Sequence, residues 1–258
     1  MKYSFKLLNT RIDAIQIPQV LQKMEKWIGE RNFGNYICIS NMNDIAYSYR
    51  NKKIKEATNA ASLSVPDGMS LVFLARLKGF DIKERVYGAD LMQGFFKIAE
   101  QKGYNNYFYG GTEEALKRLI ANIKKQFPQL KIAGFYSPPF RKLNKKEKEE
   151  IVAKINKISP DVLWVGLGCP KQQLWMFEHK DKLKVSAMVG VGAAFDFLSN
   201  NKQQAPEWMR SNGLEWLFRL IKEPRRLWKR YLIGNSLFIF LLAKEMLAKI
   251  GGRDGMER

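Results

Sequence analysis

The sequence predicts an α/β protein, with a mostly parallel sheet covered by helices on both faces and a helical appendage at the C-terminal end. Three observations predict it. Short β-branched or aromatic runs alternate with stretches of helical apolar periodicity as far as about residue 200. The links between them are short, which suits repeated β-α-β units. Beyond that point the texture becomes tryptophan-rich and basic, with no strand signal. Residues 1–200 therefore read as the core and 201–258 as the appendage.

Taken in order, "IPQVLQKMEKWI" places Ile17, Val20, Leu21, Met24, Trp27 and Ile28 on one helical face, with Pro18 near its start. "YICIS" is a strand and "DIAYSYRN" a helix; "SLSV" is a strand and "SLVFLARLKGF" a helix. "ADLMQGFFKIAEQKG" is a helix closed by Gly103. After the strand "YNNYFYG" comes "TEEALKRLIANIKKQF", a helix capped by Thr112 with Glu113 and Glu114 in its first turn. "KIAGFY" is a strand, and "NKKEKEEIVAKINKI" has Asn144 and Glu147 at capping-box spacing. "DVLWVG", a helix from about Pro170, and "VSAMVGVG" complete the alternation. In the appendage, Pro224 starts a new helix or kinks an old one. Around it stand Arg219, Lys222, Arg225, Arg226, Lys229 and Arg230, with Glu223 the one acid among them.

Composition narrows the class. The 258 residues are 46% hydrophobic and 27% charged, as in a globular protein. Lys and Arg total 44 against 25 acids, a formal +19 that favours phosphate-bearing substrates, anionic lipid or nucleic acid. Cys38 and Cys169 make neither a disulfide framework nor a metal-site spacing. The first residues carry no apolar signal-peptide core, so a cytoplasmic address is expected. The run from Tyr231 to Ala243 falls well short of the ~20 residues that span a bilayer.

Ligands in such folds bind beyond the carboxyl ends of the strands, so the strand-end segments hold the candidate chemistry. Gly110 and Gly111 in "YGGT", and Gly166 and Gly168 in "VGLGCPKQ", let backbone N–H groups approach a phosphate. The second loop is the better anion site: Glu113 and Glu114 would repel a phosphate at the first, whereas Lys171 and Gln172 open the second helix. Either loop alone reads equally as an ordinary βα turn. His179 is the only histidine, placed near a helix end on the surface, so a catalytic triad and a zinc site are not indicated. No D-x-D pair is present to hold a metal ion on a diphosphate. Acid–base work then falls to an Asp or Glu. Asp67 in "VPDG" is the best placed, although those residues alone suit a turn.

Taken together, "VPDGMSLVFLARLKG", "ERVYGADLM", "FYGGTEEAL", "VGLGCPKQQLWM", "GVGAAFDFL" and "APEWMRSNGLEWLFRLIKEPRRLWKRY" resemble the WecG/TagA/CpsF family of bacterial glycosyltransferases, from about Asn41 to Tyr231. The resemblance implies a Rossmann-like fold with a membrane-targeting appendage, no metal and no cofactor. It implies transfer of a sugar from a UDP-sugar to an undecaprenyl-diphosphate-linked acceptor at the cytoplasmic membrane face. N-acetylmannosamine, in wall teichoic acid synthesis, is the best-known sugar; relatives move other hexoses for capsule and exopolysaccharide. By match to the family's motifs, Asp67 is the general base, Arg85 and Gln172 belong to the catalytic set, and Asn41, Arg219 and Arg226 bind substrate. Where the family often has a threonine two residues before that asparagine, this chain has Ile39; Ser40 follows and is grouped with Asn41 among the binding candidates. "PDGMSLV" is closer to the exopolysaccharide branch, which leaves UDP-glucose or another UDP-hexose open as donor.

The physical requirements agree. Sugar transfer needs a base for the acceptor hydroxyl and a counter-charge for the departing diphosphate. Guanidinium groups bind phosphate in a bidentate way, which suits Arg85 and the appendage arginines. Tryptophans and cations together also suit an anionic membrane surface. For Trp216, Leu217, Leu220 and Ile221, plain core packing is the ordinary expectation. A nucleic-acid-binding protein is the rival class, but the excess cations are spread along the chain without a recognition motif. A nucleotide-dependent epimerase or dehydrogenase lacks its G-x-G-x-x-G loop and its Tyr-x-x-x-Lys pair. Homo-oligomerisation is left open.

Overall fold

The computed structural model describes residues 3–251. The last residues of the appendage, and the side chain of Arg230, lie outside what is described.

A hairpin opens the chain: β1 (Ser4–Leu7) pairs antiparallel with β2 (Thr10–Asp13). The sequence reading has no element here. The strands are four residues each, and their turn uses Leu8 and Asn9 at positive φ rather than a glycine that would mark it. There follow α1 (Ile17–Gly29), β3 (Asn35–Ser40), α2 (Met42–Arg50), α3 (Lys52–Asn59), β4 (Leu63–Pro66), α4 (Met69–Leu77) and α5 (Gly88–Lys102). The chain continues through β5 (Asn106–Tyr109), α6 (Glu113–Gln126), β6 (Ile132–Tyr136), α7 (Lys145–Ile158), β7 (Val162–Val165), α8 (Lys171–His179), β8 (Ala187–Gly190) and α9 (Ala194–Leu198). The sequence reading also lacks α3, whose eight mostly polar residues turn only Ile54, Ala57 and Thr58 inward.

The expected helix caps are in place. Thr112 Oγ1 accepts from Ala115 N at 3.2 Å, Asn144 and Glu147 form their reciprocal box, and Gly103 closes α5 in the left-handed region. The expected parallel sheet is present, with six strands in the order β4-β3-β8-β7-β5-β6. The chain steps from β3 outward to β4, then crosses to the far side and returns through β7 to β8 beside β3. The carboxyl ends of β3 and β8 therefore flank the switch point where such sheets bind ligands.

Helices cover both faces. One side packs Phe95, Phe96, Phe108 and Trp164; the other packs Tyr107, Tyr109, Leu163 and Met188. His179 belongs to the interior, which corrects its expected surface place: it is buried at the end of α8, its ring stacked on Trp175 at 4.3 Å and its Nδ1 2.7 Å from the Trp175 carbonyl. A histidine one helical turn beyond a partly buried tryptophan completes an aromatic stack that sequence spacing alone does not display.

The appendage comprises α10 (Glu207–Ser211), α11 (Glu215–Lys222), α12 (Pro224–Trp228), a π-helical segment (Lys229–Gly234) and α13 (Asn235–Gly251). Pro224 does start a helix. The appendage returns to the core rather than hanging from it. Phe238 is fully buried among Leu7, Ile12, Ile45 and Leu71. Asn43 Nδ2 donates to Asn235 Oδ1 at 3.0 Å, and Glu245 accepts from Leu8 N at 3.0 Å. Truncating a fully buried phenylalanine leaves a cavity. Phe238→Ala is expected to lower unfolding free energy by ~3 kcal/mol in denaturant titrations, and an unchanged midpoint would mean α13 does not support the hairpin.

Candidate active site

A cleft of about 610 Å³ opens over the carboxyl ends of β3, β4, β5, β7 and β8. Asp67 lies at its floor, just past β4. Its backbone N donates to the Ser40 carbonyl at 2.8 Å, and its own carbonyl accepts from Arg85 Nη1 at 3.2 Å. Asp67 Oδ1 is buried with no hydrogen-bond partner among the described residues. Burial pushes the carboxyl from its ordinary 3.8 up to about 7; Arg85 and Arg219 pull against this, while Glu215 and Asp44 add to it. A carboxyl poised near neutrality can take and return a proton at working pH.

Gln172 lies across the cleft in the first turn of α8. It is 4% exposed, and its Oε1 has no partner among the described residues. The side chain fits only because Gly190 is bare: a Cβ there would sit 3.0 Å from Gln172 Nε2. Gly111, Gly166 and Gly168 line the cleft as expected. Gly110 does not; it lies behind, at φ +113, where a Cβ would stand 2.7 Å from the Gly166 backbone. It lets the two loops touch.

Asn41 lines the cleft, but its Oδ1 is spent capping α2, accepting from Asn43 N at 3.0 Å and Asp44 N at 3.3 Å. Ser40 is inside the sheet, its hydroxyl 3.2 Å from that of Ser64, and does not line the cleft. Alternation along β3 puts it on the same sheet face as Ser64 of β4. Lys171 is exposed and does not line the cleft.

Two appendage arginines reach the cleft. Arg219 makes no ion pair among the described residues and lies over the Phe197 ring at 5.6 Å. Arg226 is held by Glu223 at 2.6 and 2.8 Å, and Lys202 bridges Glu223 to Asp196. Arg85 does not line this cleft. It faces an adjoining hollow of about 180 Å³ that shares Asn41, Asp67 and Arg219 with it. Its Nη2 pairs with Glu215 at 2.5 Å and its guanidinium covers the Tyr87 ring at 4.5 Å.

Sequence reasoning missed Asp44, Glu215, Tyr87 and Phe140. Phe140, 91% exposed after β6, overhangs the cleft, and the "SPP" before it is the signal for a stiff loop there. For Glu215 the chain offers no comparable signal. Plain core packing does not describe the α11 stripe: Trp216 is 40% exposed and Ile221 68%, Leu217 is exposed and Leu220 half-buried, while the one buried residue is Glu215. The helix turns its charge inward because Arg85 awaits it there. Among the described residues no helix is long and apolar enough to cross a membrane, and no group of three or more His, Cys, Asp or Glu side chains gathers as a metal site.

A parallel α/β sheet with a near-neutral carboxyl at the switch point, glycine loops on one wall and guanidinium groups on the other defines an α/β group-transfer enzyme. The chain belongs to the WecG/TagA/CpsF family of glycosyl transferases, whose model matches residues 5–251. It is therefore a glycosyltransferase. It is 29% identical over 217 residues to the N-acetylglucosaminyldiphosphoundecaprenol N-acetyl-beta-D-mannosaminyltransferase of Bacillus spizizenii, covering 84% of this chain and 82% of that one. Proteins of the same name from Bacillus subtilis strain 168 (27% identical; 86% and 84% covered) and Staphylococcus aureus strain MW2 (25%; 92% and 91%) are also similar.

The state of Asp67 has a consequence for stability. A carboxyl raised from 3.8 to about 7 binds its proton more tightly folded than unfolded. The stability this contributes is full below 3.8 and lost as pH rises through about 7. Asp67→Asn, which cannot ionise, is expected to melt above wild type at about pH 8, with the gap closing toward pH 4. Equal melting temperatures at the higher pH would mean the carboxyl is solvated.

Proposed function

We propose that the enzyme moves a hexosyl residue, N-acetylmannosamine foremost, from a UDP-sugar to N-acetylglucosamine carried on undecaprenyl diphosphate, in teichoic acid or surface polysaccharide synthesis. The names of the relatives support the sugar and the acceptor. The observation that carries the chemistry is the buried, unpartnered Oδ1 of Asp67 beside a cleft rimmed by arginines. The acceptor hydroxyl gives its proton to Asp67 as its oxygen bonds to the anomeric carbon. The bond from that carbon to the UDP oxygen breaks, and UDP leaves with the electron pair. Arg219 and Arg226 meet the charge that develops on the diphosphate, without a metal ion. Gln172, with its free carbonyl oxygen, orients a sugar hydroxyl or amide. Another UDP-hexose, such as UDP-glucose, is the alternative donor.

Release of UDP from a panel of UDP-hexoses, in excess chelator, with and without a diphospholipid acceptor, tests this reading. Asp67→Asn is expected to fold and bind UDP while turnover falls by ~10²-fold or more. Wild-type turnover in that variant would make Asp67 a turn residue only.

The appendage is proposed to bring the enzyme to the inner membrane face. Trp216 and Ile221 on α11, and Ile239 and Phe240 on α13, face outward among cations. Each Lys or Arg near an anionic leaflet is worth about 1 kcal/mol, and salt screens it. The protein is expected to sediment with anionic vesicles at low salt and to release at roughly 1 M salt, where screening is short-ranged. Equal sedimentation with neutral vesicles would remove the electrostatic part.

A further inference from the structure

The chemistry just proposed leaves Glu215 without a task, yet its setting is unusual. It is 6% exposed in the first turn of a helix whose apolar residues face out. Its partner is Arg85 Nη2 at 2.5 Å. The other end of the same guanidinium, Nη1, donates to the Asp67 carbonyl at 3.2 Å, and its plane covers Tyr87 at 4.5 Å. Three contacts from three segments thus fix one guanidinium beside the Asp67 carboxyl without bonding to it. An arginine lacking that hold would form a bidentate pair with the nearest carboxylate. Here that carboxylate is Asp67, and such a pair would hold it ionised and occupied.

We propose that Glu215 is a positioning residue for Asp67: from the appendage it clamps Arg85 in place and keeps the guanidinium off the catalytic carboxyl. The proposal rests on the reading of Asp67 as base. The charged groups facing Asp67 are Arg85 from the segment before α5, Glu215 and Arg219 from α11, and Asp44 from α2. The Tyr87 phenol, whose burial pushes it above its ordinary range, stays protonated beside them.

The test is the pH profile of kcat/KM for UDP release by the full chain, with a short-chain diphosphate-linked N-acetylglucosamine as acceptor. In wild type the acidic limb should fall near about 7. Glu215→Gln removes a like charge and loosens Arg85. Both effects favour ionised Asp67, so the limb should move down by roughly one unit. Glu215→Asp keeps the charge and should leave the limb in place. A folded Glu215→Gln enzyme with the wild-type limb overturns the proposal. Should that variant prove too unstable to assay, Arg85→Gln with Glu215→Gln removes both buried charges together. There the limb should rise, since Arg85 is the stronger influence; an unmoved limb again overturns the proposal. Failure of the base reading looks different: Asp67→Asn would turn over normally. The melting-temperature gap between wild type and Asp67→Asn would still shift along the pH axis when Glu215→Gln is added to both.

Discussion

The buried ion pair between Arg85 and Glu215 is the interaction on which the rest of the site depends. Their side chains are 14% and 8% exposed, so both charges have given up most of their water. Such a pair repays its desolvation only when geometry is good and remaining hydrogen-bond capacity is used. Beyond the pair itself, Arg85 donates from Nη1 to the Asp67 carbonyl and lays its face on Tyr87. The pair joins a segment after β4 to a helix 130 residues later. Without the appendage, Arg85 would lose this partner beside Asp67.

The same economy runs through the cleft. Burial raises the Asp67 carboxyl toward neutrality, and of the two cations that pull against this, Arg85 is paired with Glu215. Glu223 holds Arg226, and Lys202 ties that pair to Asp196 at 3.4 Å. Arg219 carries no such partner among the described residues and stands where the cleft and the adjoining hollow meet. It is the cation most open to an anionic ligand, because no ion pair among the described residues competes for it.

Parts of the appendage invert the usual sorting of residues. Glu215 points in, while Trp216, Ile221, Ile239 and Phe240 point out. Water alone would penalise that arrangement. A headgroup layer would not, since it accepts aromatic and aliphatic side chains beside cations. Lys222 over Phe218 and Lys229 over Trp228, both near 5.5 Å, place charge next to ring in the manner such a layer favours. At the same time Phe238 and the Asn43–Asn235 bond fasten α13 to the hairpin and α2, and Gly234 is bare where a Cβ would collide with Asn43. One surface of the appendage is fastened to the core and the other left uncovered.

By itself, the sequence determined the alternation of strands and helices, the parallel sheet, the caps at Thr112, Asn144 and Gly103, and the strand-end position of Asp67. These are local matters: periodicity, capping chemistry and the short links of βα units act within a few residues, and a chain displays them in order. It did not disclose the hairpin or α3, whose runs are too short for periodicity to register. Nor did it disclose that Ser40 turns into the sheet, that Gly110 spaces two loops, or that His179 is interior. Those depend on which neighbour a residue meets across the sheet. The pairing of Arg85 with Glu215, and with it the near-neutral Asp67, was decided by tertiary structure alone. A charge finds its partner through distance in space and loss of water, and neither quantity is written in the spacing of residues along the chain.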